Sequence, residues 1–176
     1  MRSLAPAIAA MLLVSPQIAE AADTACLTPR EATAVMAYAL PSAISGTARR
    51  CAPVLGKDAW ISRNGEELAR RYGERKAANW PEARAALIKV TANSSDPAMN
   101  IVKSLPDESL QQLTDAIVSG TVAEKVPEKR CFVVDRLLSL VSPLPPENTA
   151  ELIALTLGVV SHGDDPRIGK LAICKA

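Results

Sequence analysis

The stretch from Met1 to Ala21 constrains this chain most, because it decides which compartment the four cysteines behind it meet. Arg2 gives a positive start, and an apolar run from Leu4 to Ala19 follows, centred on residues 8–14. Ala19-Glu20-Ala21 then supplies the small-x-small pattern that signal peptidase accepts. The stretch reads as a cleaved signal peptide, with a new N-terminus at Ala22. A transmembrane anchor is the rival reading. It needs roughly 20 apolar residues to cross the hydrocarbon core, whereas this run is shorter and holds Pro6 and Pro16. Lipid attachment at Cys26 is a second rival, opposed by Asp23 where such sites want an aliphatic residue. The expectation is export, and the style of the leader suggests a bacterial periplasm.

In an oxidising compartment Cys26, Cys51, Cys131 and Cys174 read as two disulfides, with three possible pairings. The local pairings Cys26–Cys51 and Cys131–Cys174 are favoured, because each ties one helical unit. Chain entropy assigns them roughly 3.5 and roughly 4 kcal/mol. A metal site is disfavoured by spacing: no two cysteines are within C-x-x-C reach, and the one histidine, His162, lies 31 residues past Cys131. No metal and no cofactor is expected.

Residues 22–176 suffice for a single domain with a substantial core. Thr91 to Pro97 is small, polar and proline-ended, and marks an internal boundary between two possible helical halves, 22–92 and 97–176. The apolar share of 48% opposes disorder, while aromatics at 3% leave a core of Ala, Leu, Val and Ile. Such composition suits close-packed helices.

Helix punctuation recurs along the chain. Thr28-Pro29-Arg30-Glu31 has a capping residue, a first-turn proline and the acid of a capping box. A first helix over Ala32–Leu40 is expected to stop at Pro41, with a second segment over Ser42–Cys51 folding back. Asn64-Gly65-Glu66-Glu67 opens a helix running to about Ala78, and Asn79-Trp80-Pro81-Glu82 opens the next, with Pro81 either separating two helices or kinking one. A short helical piece is expected over Pro97–Ser104. Asp107 and Glu108 start the longest amphipathic helix, with Leu110, Leu113, Ile117 and Gly120 along one stripe. Pro127 starts a helix with Phe132, Val133, Leu137, Leu140 and Val141 apolar and Asp135-Arg136 turned out. Glu147 to about Val160 is the last long helix. Tyr38, Tyr72 and Phe132 are expected in the core. Only Phe132-Val133-Val134 and Ala172-Ile173 look β-like, and both are short. The fold class is all-α, a bundle of about six or seven helices.

Catalytic signals are weak. His162 has Ser161, Asp164 and Asp165 beside it, but neighbours in one loop cannot line up nucleophile, base and orienter. No Gly-x-Ser-x-Gly elbow is present. The acidic pairs Glu66/Glu67, Asp107/Glu108 and Asp164/Asp165 fall at helix ends or in a loop, where capping explains them. A catalytic role is not expected.

Charge is more informative. The net charge of +1 gives no reason to expect nucleic acid. Arg49 to Lys89 nevertheless holds ten basic and five acidic residues, against eight and eleven from Val90 onward. Arg63, Arg70, Arg71, Arg75 and Lys76 concentrate this surplus on one helix. The bland reading is a solvated, ion-paired face, since Glu66–Arg70, Glu67–Arg71 and Arg70–Glu74 are one turn apart. The functional reading is a patch for an anionic envelope component or an acidic protein. Trp60 and Trp80 flank the same helix, as core caps or as a sugar platform. The function expected is a secreted, non-catalytic interaction module of the cell envelope. A carrier for a small apolar ligand or lipid is the alternative, and an enzyme without a recognisable motif a more distant one. Oligomeric state leaves no sequence signal.

Overall fold

The computed structural model describes residues 26–92, 102–160, 167–168 and 171–174. The leader, most of the Thr91–Pro97 boundary and the His162 loop with Asp164 and Asp165 lie outside the described residues. The architecture is all-α and tied by two disulfides: α1 (Pro29–Leu55), α2 (Trp60–Gly73), α3 (Lys76–Thr91), α4 (Asp107–Lys125), a 3-10 turn (Glu128–Arg130), α5 (Cys131–Val141) and α6 (Pro146–Val160). Residues 102–104 are also helical. Near the C-terminus β1 (Arg167–Ile168) pairs antiparallel with β2 (Leu171–Ala172), with Arg167 opposite Ala172, and Leu27 bridges Ile173.

The long α1 is the axis of the molecule. Residues 32–48 carry no charged side chain, so the helix tolerates burial on nearly every side. The other helices wrap it, and α1 or the residues leading into it contribute to four buried clusters. Ala37, Leu40 and Ile44 meet Leu68, Ala69 and Tyr72 of α2 and Ala150 of α6. Tyr38 meets Trp80, Ala83 and Leu110, with its ring centroid 4.9 Å from that of Trp80. Residues from both sides of the Thr91–Pro97 boundary therefore share clusters.

Pro41 does not end the first helix, contrary to expectation. It removes one backbone donor, but Pro41 is itself buried, and burial of the residues around it holds α1 continuous through 55. That continuity overturns the expected disulfide pairing. A helix rises about 1.5 Å per residue, so Cys26 and Cys51 are separated by roughly 35 Å of α1. A bridge between them is excluded, since Cα atoms of a disulfide lie within about 7 Å. The bonds are Cys26–Cys174 and Cys51–Cys131, with Cα separations of 5.0 and 5.3 Å.

Other boundaries also move. The capping box at Thr28 forms as read: Glu31 N donates to Thr28 Oγ1 (3.2 Å), and Thr28 N donates to Glu31 Oε2 (2.8 Å). By contrast α2 begins at Trp60 rather than Asn64, and its flanking residue Ala59 offers no side-chain cap. Asp135 of α5 caps it instead, accepting from Ile61 N at 2.6 Å. The break before α3 falls at Glu74–Arg75, and Pro81 sits inside α3. Phe132–Val134 is helical, not β-like.

Glu31 also binds Lys89 Nζ at 2.9 Å, joining the first turn of α1 to the last turn of α3. The Lys89 hydrogen bond first, and the Thr28 N–H second, hold the Glu31 carboxyl below its ordinary value of 4.5. A carboxylate depressed by folding stabilises above its unfolded pKa, and that contribution drains as pH falls through the folded value. Glu31→Gln is therefore expected to cost about 0.5–1 kcal/mol at neutral pH, discounted for the partly exposed partner, and progressively less as pH falls below 4.5. Urea midpoints at neutral and acid pH check this.

Candidate interaction surface

The five basic residues singled out in the sequence have different partners. Arg70 is held by Glu67 of α2 and by Glu74 just past its end, both at 2.6 Å. Arg71 donates to the Ser142 carbonyl and lies over the Tyr72 ring. Arg75 pairs with Glu147 of α6 at 3.0 Å. Lys76 binds Asp115 of α4 and sits 4.4 Å above the Tyr38 ring. Arg63 is exposed. The stretch thus fastens α2 and α3 to α4, α6 and the α5–α6 turn. Burial pushes the Glu147 carboxyl up, but its own backbone N–H, Arg75 and Asn79 outweigh that and hold it below the usual carboxylate range. Trp80 is buried and donates to Asp107 Oδ2 at 3.2 Å, while Trp60 is partly buried against other clusters.

An open groove of about 480 Å³ lies between α1, α2 and α4, lined by Ser42, Ser45, Glu66, Arg70, Asp115 and Ser119 among others. On its wall Ser42 Oγ donates to Asp115 Oδ1 at 2.7 Å, and Lys76 donates to the same carboxylate. A carboxylate already neutralised by an ammonium group is a poor base for activating a serine. The nearby Tyr38 hydroxyl is buried and has no hydrogen-bond partner among the described residues. Burial first, and the Asp115 charge second, push its pKa above the usual phenol range.

The larger anomaly is apolar. Four of the residues expected on the inward stripe of α5 face solvent: Phe132 is 74% exposed, Leu140 59%, Leu137 54% and Val133 47%. With Arg136 they cover one continuous face of the helix. The opposite face holds Cys131, Val134, Asp135, Leu138 and Val141. The cause is a covalent bond and a cap to residues distant in the chain. Cys131 must meet Cys51 inside the core, where both are fully buried. One turn on, Asp135 must reach Ile61 N, and a further turn brings Leu138 onto the core. Rotating α5 to bury Phe132 and Leu137 would withdraw all three. The disulfide and the cap together fix the helix with its greasier face outward. Cys131, Asp135 and Leu138 are spaced as one stripe, and a half-cystine on a stripe is the signal that could have marked it as inward.

The same inversion appears on its neighbours. On α6, Leu152 and Leu155 are exposed beside Glu151, while Thr149 and Ala150 are buried. On α4, Ile117 is exposed and Leu113 partly so, because Leu110 and Ser119 form the contact with α1. Leu138 of α5 and Ile153 of α6 pack against one cluster. Tyr72 Oη, within 3.0 Å of the Leu144 carbonyl and 2.9 Å of Thr149 Oγ1, pins the turn between these helices.

Among the described residues no group of three or more His, Cys, Asp or Glu side chains is placed to hold a metal ion. No described helix is long and apolar enough to cross a membrane. Compared with protein-family models, curated proteins and solved structures, the chain matches none.

Proposed function

We propose that the chain is a secreted, periplasmic, non-catalytic interaction module of the cell envelope, exported through residues 1–21, and that it works through the outward apolar faces of α5 and α6. One observation carries the reading: the rotation of α5 is locked by a disulfide and a helix cap, so that Phe132, Val133, Leu137 and Leu140 stay in solvent. Apolar side chains concentrated on exposed helix faces are characteristic of surfaces that meet another surface. The basic stretch is a weaker candidate, because four of its five cations are occupied within the chain. The groove between α1, α2 and α4 is open rather than enclosed, which favours a binding surface over a carrier for an apolar ligand. The two disulfides suit an oxidising compartment. Photocrosslinking in cells that export the protein tests the reading. A photoreactive side chain at Leu140 is expected to give a discrete adduct, with an envelope component or a second copy, and one at the exposed Ala85 of α3 is not. Equal adducts at both positions, or none from Leu140, would refute it.

A further inference from the structure

We infer that the occupant of this surface is a second copy of the same chain, bound through a two-fold contact that lays α5 of each copy on α6 of the other. This inference rests on the reading of that face as a binding surface, and it adds the partner.

Charge arrangement selects this partner. The exposed face of α5 is Phe132, Val133, Leu137 and Leu140 around a single cation, Arg136. The exposed face of α6 is Leu152 and Leu155 with Asn148 and Thr156 around a single anion, Glu151. Neither Arg136 nor Glu151 has a side-chain partner among the described residues, and each stands within an exposed apolar helix face. Pairing α5 with α5 would bring two arginines together, and pairing α6 with α6 would do the same with two glutamates. Only the crossed arrangement satisfies both, and two-fold symmetry then makes the Arg136–Glu151 pair twice. An anionic lipid surface fits less well, because Glu151 stands in the middle of the apolar α6 face and would be driven toward like charge.

Area agrees with this. At their observed exposures the six apolar side chains of the two faces sum to on the order of 600 Å² per copy. A contact that covers both faces and their four polar residues would bury close to the roughly 800 Å² per partner of a standard interface.

The test is sedimentation equilibrium of the secreted, disulfide-bonded protein and three charge variants. The wild type is expected to be a reversible dimer. Arg136→Glu and Glu151→Arg are each expected to weaken association by about tenfold or more. The double variant restores opposite charges at both contacts and should return to within about threefold of wild type. Both positions are exposed, so at concentrations where the wild type is itself monomeric the variants should melt with it, which separates lost association from lost folding. A wild type that stays monomeric at every concentration overturns the inference. So does a dimer indifferent to both single changes, or a double variant no better than the singles. Monomer that co-sediments with anionic phospholipid vesicles would also overturn it and assign the face to lipid. A monomer that still gives a Leu140 photoadduct with an envelope component would overturn the dimer alone, whereas absence of any Leu140 adduct would defeat the underlying reading of the face.

Discussion

Replacing Cys51 and Cys131 together with alanine is expected to destabilise the protein by about 4–5 kcal/mol. The bond closes a loop with a sequence separation of 80. Chain entropy alone supplies about 4.5 kcal/mol for a loop of that size, and both half-cystines are fully buried, so their loss also leaves unfilled space. For a chain of this size that corresponds to a fall in Tm of roughly 10–15 °C. The bond also sets the rotation of α5, so the variant should lose α5 protection in hydrogen exchange before other helices. The matching change at Cys26 and Cys174 should differ in kind. Those residues are partly exposed at the ends of the described chain, but their bond closes a longer loop, with a sequence separation of 148. Its loss should therefore lower stability by about 5 kcal/mol of chain entropy while loosening the C-terminal tail rather than α5. Thermal melts of the two double variants, read with exchange by segment, check the distinction. Equal and uniform loss of protection in both would contradict the role given to Cys51–Cys131.

The second large effect is expected at Gly46. An added Cβ there would lie 2.4 Å from the Ser119 carbonyl oxygen, which belongs to the backbone of α4 and cannot swing aside. Alanine normally gains up to about 1 kcal/mol over glycine inside a helix. Here separating α1 from α4 should outweigh that gain, giving a net loss of about 1–3 kcal/mol. The separation would also strain the hydrogen bonds from Ser42 to Asp115 and from Arg49 to Ser119 that bracket the crossing. Gly120, on the exposed face of α4 with nothing within 4 Å of its added Cβ, is the control. Gly120→Ala should stabilise by about 0.5–1 kcal/mol. Urea unfolding of both variants gives the two signs directly, and stabilisation by Gly46→Ala would show that the helices are not in contact there.

These cases show where a sequence of this kind is readable. Local chemistry was legible: Thr28 and Glu31 form their capping box, Asp107 and Glu108 open α4, and Tyr38 and Tyr72 are buried on their stripes. What failed was anything settled by a residue far away in the chain. Asn64 looked like a cap, yet the cap of α2 comes from Asp135, 74 residues from the amide it binds. Pro41 carried a strong local signal for a break, and burial of the residues around it overrode that signal. The stripe of Phe132, Leu137 and Leu140 is the more hydrophobic face of α5, and hydrophobicity alone would bury it. A covalent bond chose the other face. The candidate surface was hidden for the same reason: its residues read as core until the partner of Cys131 was known.

The clasp at the two ends of the fold has a mechanical consequence. Cys26 is bonded to Cys174, and the adjoining backbone is stitched where Cys174 N donates to the Leu27 carbonyl at 2.8 Å. Tension applied at these two points would pass through a sulfur–sulfur bond, and no helix between them would bear the load. Pulled by its ends, the molecule would behave as a short inextensible link with the helical body hanging beside it.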